Sequence, residues 1–177
     1  QAVFGVVQSS LTPSRVYGRA SQLVTAPFGS FVNHNHFAGL VEMGAVLARC
    51  RAVPVPVDDA WRLDLSAIDE RDAERALCLW VNSPSNPTGA LDDLGAAAAW
   101  GRERGVPVFS DECYAEFTWD GEPRSILEHG TDGLVAVHSL SKRSNLAGVR
   151  VGFYAGDPDL VHYLSEVRKH VGMMVPG

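Results

Sequence analysis

The chain has 177 residues, 46% of them hydrophobic and 20% charged, with a formal net charge of −6. That is enough length and apolar content for a domain with a real core, and too much for a disordered chain. The acidic balance, without a basic stripe, speaks against a nucleic-acid surface, and no apolar run reaches the length of a membrane span or has the build of a signal peptide.

Three cysteines, Cys50, Cys78 and Cys113, are widely spaced and odd in number. They form neither a disulfide framework nor a zinc pattern, so a reducing, cytoplasmic setting is expected. The chain begins with Gln1 rather than Met and stops at Gly177 directly after a helical stretch. It is therefore read as part of a larger protein.

In chain order, 1–7 could be a strand, and 8–19 show no clear period. Gly, Ser and Asn mark 27–35 as a loop. His34 and His36 fall on one side of an extended segment. No carboxylate or thiol stands at a supporting spacing, so they read as an exposed loop pair, and no metal site is expected. Leu40, Met43, Val46 and Leu47 recur at helical spacing and predict a helix over 37–49. A strand is expected over 51–57, at a sheet edge because of Pro54 and Pro56. A turn at 58–62 and a short helix within 63–75 follow, the helix capped by Asp64 or Ser66.

Residues 76–81 read as a buried strand running into Asn-Ser-Pro-Ser-Asn-Pro-Thr-Gly at 82–89, a fixed non-helical loop. Asp92 is expected to cap a helix that ends near Arg104, with Gly105 as its stop. A second buried strand over 106–109 ends at Ser-Asp-Glu-Cys-Tyr, 110–114, and 118–123 form a loop. A third over 134–137 ends at Ser139, Ser141 and Lys142, and a short strand over 149–154 carries Arg150 at its start. The repeat of strand, loop, helix and strand predicts an α/β fold, a mostly parallel sheet with helices on both faces. If the three buried strands are neighbours, the loops at 82–89, 110–114 and 138–142 meet at one edge of the sheet, where ligands sit in open α/β folds.

Those loops gather Asn86, Asp111, Tyr114, Ser139, Lys142 and Arg150. A lysine whose surroundings disfavour its ammonium form is a nucleophilic amine. Serines and an arginine suit a phosphate. Lysine with a phosphate subsite suggests pyridoxal phosphate held as a Schiff base. Each residue also has a plainer reading. Asn86 could be only a turn residue, Asp111 a helix cap, Tyr114 a half-buried aromatic, Arg150 a surface ion-pair member, and the Ser-Leu-Ser-Lys stretch a solvated loop. The order of the motifs, each at the end of a successive strand, weighs against coincidence.

The set resembles the fold-type-I pyridoxal-phosphate enzymes, specifically the class I and II aminotransferases. The motifs are Asn-Pro-Thr-Gly at 86–89, Asp-x-x-Tyr at 111–114, and Ser-x-x-Lys at 139–142 with an arginine eight residues on. Longer segments at 79–89, 110–119, 138–148 and 167–176 are similar to the succinyldiaminopimelate aminotransferases of bacterial lysine and cell-wall precursor synthesis. The resemblance covers about 41–176 and not the first 40 residues.

It implies the large domain of a fold-type-I transferase, an α/β/α sandwich, with pyridoxal 5′-phosphate as cofactor and an amino acid and a 2-oxo acid as substrates. It implies that Lys142 forms the Schiff base and moves the Cα proton, that Asp111 pairs with the pyridine nitrogen, that Asn86 and Tyr114 donate to the phenolic oxygen, and that Ser139 and Arg150 hold the phosphate. It also implies a homodimer with a site shared across the interface. The phosphate-binding Gly/Ser/Thr loop is expected upstream of Gln1. The small domain with the arginine for the substrate carboxylate is expected beyond Gly177, so about half the enzyme would lie outside this chain. Phe37 is the one candidate for the aromatic that stacks on the cofactor ring. The rival readings are another reaction on the same scaffold, such as a lyase or decarboxylase, and a remnant without catalysis.

Overall fold

A computed structural model describes residues 15–16, 19–20, 53–149 and 151–171. The chain divides into two compact units, Gln1–Pro54 and Val55–Gly177. In the first, strands β1 (Arg15–Val16) and β2 (Arg19–Ala20) pair antiparallel. The strand expected over 1–7, the loop with His34 and His36, the helix over 37–49, Phe37 and Arg150 lie outside the described residues.

The second unit is built on a four-stranded sheet of β3 (Leu79–Asn82), β4 (Val108–Asp111), β5 (Leu134–Ser139) and β6 (Gly152–Gly156), in that spatial order. The three buried strands are neighbours and run parallel, while β6 joins β5 antiparallel. The register aligns Asn82 with Asp111 and Asp111 with Val137. The three loops therefore leave the same edge of the sheet.

Alternation along the strands defines the two faces. Leu79, Val81, Val108, Leu134 and Ala136 form one, and they build the core with Leu94, Ala97, Ala98 and Trp100 of a covering helix. Trp80, Phe109, Val135 and Val137 belong to the other, where Trp80 and Phe109 stack at 6.0 Å. On that second face Tyr154 of β6 shares a hydrogen bond of 3.2 Å with Ser165 of a later helix. Helices thus lie against both faces, as the strand–helix repeat predicts.

Four α-helices are described: α1 (Glu70–Ala73), α2 (Leu94–Arg104), α3 (Leu140–Arg143) and α4 (Pro158–Val171). The inner face of α2 holds Leu94, Ala97, Ala98, Trp100 and Gly101, and the glycine lets it approach β4 closely. A Cβ on Gly101 would stand 2.4 Å from Val108 Cγ2 and 2.7 Å from the Val106 carbonyl oxygen. Gly105, at φ 64°, takes the left-handed conformation that closes the helix.

Several expected boundaries move. No strand forms over 53–57; Val57 makes one isolated bridge to Leu63, because Pro54 and Pro56 have no N–H to give to a ladder. The helix expected within 63–75 is two pieces. A 3-10 turn, Leu65–Ala67, is capped by Asp64, and α1 is capped by Asp69, whose carboxylate accepts from Arg71 N. The cap of α2 is Asp93, which accepts from Ala96 N at 2.8 Å. Asp92 instead accepts from Leu63 N at 2.7 Å and ties the preceding segment to the sheet unit. The last strand starts at Gly152 rather than 149, after a 3-10 turn at Ala147–Val149.

Candidate active site

The loop after β3 holds two cis peptide bonds, Ser83–Pro84 and Asn86–Pro87. It is closed by hydrogen bonds between Ser85 and Ala90 and between Gly89 and Ser85. These bonds aim the Asn86 side chain at the loop after β4. Its amide Nδ2 donates to the Tyr114 hydroxyl at 3.1 Å. Two polar groups from separate loops thus converge on one point.

Lys142 stands beside Tyr114, its Nζ 5.7 Å from the centre of the ring. The neighbouring residue explains the placement. Arg143 pairs with Glu116 at 3.2 Å, which links α3 to the segment carrying Tyr114. The pair is half exposed, so its energetic worth is small. Ser139 caps α3 and accepts from Ser141 N at 3.2 Å, which leaves its hydroxyl hydrogen to donate.

Asp111 ends β4 and is 6% exposed. Burial pushes its carboxyl above the ordinary carboxylate range, opposed by hydrogen bonds from Cys113 and by the nearby His138. Its Oδ1 accepts from Cys113 N at 3.2 Å. Burial and the Asp111 charge likewise push the Cys113 thiol up, so this cysteine is no thiolate nucleophile. A desolvated carboxylate of this kind is stabilised by a cation or a charged N–H donor.

Two residues that sequence reasoning did not single out, Asn82 and Glu112, shape the site. Asn82 bridges two loops, donating from Nδ2 to the Asp111 carbonyl at 3.2 Å and accepting at Oδ1 from Asn86 N at 3.0 Å. Glu112 is 1% exposed and accepts from Ile126 N at 2.7 Å. Its other oxygen is 3.3 Å from His138 Nε2, joining the end of β4 to the end of β5. Strand register and the approach of the turn at Ile126–His129, which composition does not reveal, bring these partners together.

An open cleft of ≈ 400 Å³ adjoins the Asn86–Tyr114 pair and is walled by Pro84, Pro87, Leu91, Phe117 and Trp119. Tyr114, Phe117 and Trp119 run along it edge to face. Among the described residues there is no cluster of three metal-binding side chains.

Comparison with known proteins gives this geometry a family. Residues 31–174 match the family described as Aminotransferase class I and II. The chain belongs to that family. It is 49% identical over 115 residues to the 4-dedimethylamino-4-oxo-anhydrotetracycline transaminase OxyQ of Streptomyces rimosus, covering 60% of this chain and 32% of the relative. It is 48% identical over 122 residues to a probable aminotransferase of Mycobacterium tuberculosis, covering 64% of this chain and 29% of the relative. The solved structure of a probable N-succinyldiaminopimelate aminotransferase from Thermus thermophilus superposes with a TM-score of 0.68 at 33% identity, over 75% of this chain and 38% of that one. The matched part of the chain spans about a third of the length of these relatives.

Class I and II aminotransferases use pyridoxal 5′-phosphate. The donor set here fits that group. A buried carboxylate could meet the ring nitrogen, the paired Asn86 amide and Tyr114 hydroxyl could meet a phenolic oxygen, and a lysine amine stands beside them.

Proposed function

We propose that this chain is the cofactor-binding part of an aminotransferase that moves an amino group between an amino acid and a 2-oxo acid. The observations that carry the reading are the Asn86–Tyr114 hydrogen bond and the Lys142 amine over the Tyr114 ring, on loops that leave the same sheet edge as the buried Asp111.

When bound, pyridoxal phosphate supplies a carbonyl that takes up amines and a ring that draws off electrons. The chain's residues supply the rest. Asp111, desolvated at the end of β4, holds a proton-bearing ring nitrogen and so keeps the ring electron-poor. Asn86 and Tyr114 donate to the phenolic oxygen and stabilise its anion. The Lys142 amine would anchor the cofactor and would carry the substrate Cα proton as base and then acid. Ser139 donates its hydroxyl to the phosphate, with Arg150 as the charged partner.

For the substrate we favour N-succinyl-diaminopimelate, with 2-oxoglutarate and glutamate as the exchanging pair. Support comes from the four motif segments at 79–89, 110–119, 138–148 and 167–176, and from the likeness to the Thermus structure. The reaction would run in the cytoplasm of a bacterium, in lysine and cell-wall precursor synthesis, with the complete protein a homodimer. No helix among the described residues is long and apolar enough to cross a membrane.

The test is glutamate formation from 2-oxoglutarate by the cofactor-loaded chain, with N-succinyl-diaminopimelate as amino donor. Turnover that disappears in Lys142→Ala supports the assignment. Turnover with other amino acids alone would discard the substrate and keep the reaction. Uptake of the cofactor without any transamination would favour the remnant.

A further inference from the structure

We propose that Asn82 is a positioning residue that locks the two halves of the cofactor site to each other, an inference that rests on the reading of Asn86, Tyr114 and Asp111 given above. Asn82 is the last residue of β3 and lies level with Asp111, the last residue of β4. Its carboxamide is engaged at both ends by backbone of the two site loops. Nδ2 donates to the Asp111 carbonyl at 3.2 Å, and Oδ1 accepts from Asn86 N at 3.0 Å. The partners fix the orientation of the amide, because a carbonyl only accepts and an N–H only donates.

These bonds close a circuit. From the Asp111 carbonyl it runs through Asn82 to the backbone of Asn86, through the Asn86 amide to the Tyr114 hydroxyl at 3.1 Å, and back along three residues of chain to Asp111. Ser83 N also donates to the Asp111 carbonyl at 3.2 Å, so that oxygen accepts two bonds at the point where the parallel ladder ends. The group that meets the ring nitrogen and the group that meets the phenolic oxygen thus share one brace. Asparagine suits the task. Serine at this position would be too short to span both partners, aspartate has no donor for the Asp111 carbonyl, and alanine has neither group. Without the brace the Asn86 loop loses a tie that is 29 residues distant in sequence on the Asp111 side, and the Asn86 amide no longer points steadily at the phenolic oxygen.

The test is a pH titration of the visible absorption band of the 177-residue chain loaded with pyridoxal 5′-phosphate. It compares the wild type with Asn82→Ala, Asn86→Ala and the double variant. A weaker donor to the phenolic oxygen leaves the anion less stabilised, so Asn82→Ala should move the midpoint upward by about one pH unit. In the double variant the midpoint should match that of Asn86→Ala alone, because Asn82 acts through Asn86. An unmoved midpoint in Asn82→Ala, or a shift that adds to that of Asn86→Ala, overturns the proposal. If far-UV circular dichroism shows Asn82→Ala unfolded, Asn82→Gln carries the same test, since it keeps the amide and displaces it by one methylene. A wild-type chain with no visible band overturns the cofactor reading and this proposal with it. A wild-type band whose midpoint the Asn82 variants leave in place overturns the role of Asn82 alone.

Discussion

The Tyr114 hydroxyl accepts a hydrogen bond from the Asn86 side-chain amide at 3.1 Å across 28 residues of sequence. Neither group needs this bond to satisfy its own backbone; the contact exists because β3 and β4 are parallel neighbours whose loops leave the same edge. Tyr114→Phe keeps the ring and its contact with Phe117 while deleting the hydroxyl. We expect pyridoxal phosphate to bind about tenfold more weakly, the worth of one hydrogen bond to a charged group. Fluorescence titration of the two proteins measures it. Unchanged affinity would remove Tyr114 from the site.

Burial raises the Asp111 carboxyl above its usual value of 3.8. A group raised in the folded state contributes stability that is fully present below its unfolded value and lost as pH rises through the folded one. Through this group the cofactor-free fold therefore loses stability as the pH rises. Asp111→Asn keeps an oxygen for Cys113 N and removes the charge. Its cofactor-free Tm at pH 7 should rise by about 2–4 °C, corresponding to about 1 kcal/mol, and the gain should shrink as the pH falls toward 4. The same variant should lose transamination by about 100-fold, as expected when a preorganised charge is removed. A lower Tm at pH 7 would contradict the burial account.

Gly101 marks the closest approach of α2 to β4, with the Val106 carbonyl oxygen and Val108 Cγ2 where a Cβ would stand. Gly101→Ala gains helix propensity but has to push the helix off the sheet, and should cost about 1–3 kcal/mol net. Urea denaturation gives the number. A stabilised variant would mean that α2 sits farther from the sheet.

Asp93→Ala removes the side-chain acceptor at the start of α2 and should cost about 1 kcal/mol. Asn at the same position should restore most of it in the same denaturation assay. No loss on Asp93→Ala would return the cap to another residue.

Much of this site was legible because buried parallel strands are continuous apolar runs and their loops carry the polar residues. Leu134–Ser139 and Val108–Asp111 show this, each ending in a residue of the site. Where the sequence misled, two adjacent residues offered the same chemistry. Asp92 and Asp93 both precede α2, and only the approach of Leu63 draws Asp92 away. Pro54 and Pro56 suggest an edge strand, and over the described residues 53–57 they leave one isolated bridge instead. Asn82 carries no local signal, because its partners are set by strand register, 29 residues apart on one side. Glu112 was hidden in the same way, since its partners Ile126 and His138 come from other segments.

The central claim is that Lys142 holds pyridoxal phosphate. The most direct measurement is the absorption spectrum of the chain after addition of the cofactor, compared with Lys142→Ala. The account predicts a visible band that survives gel filtration in the wild type and is absent from the variant. No band in the wild type, or the same band in both, would contradict it.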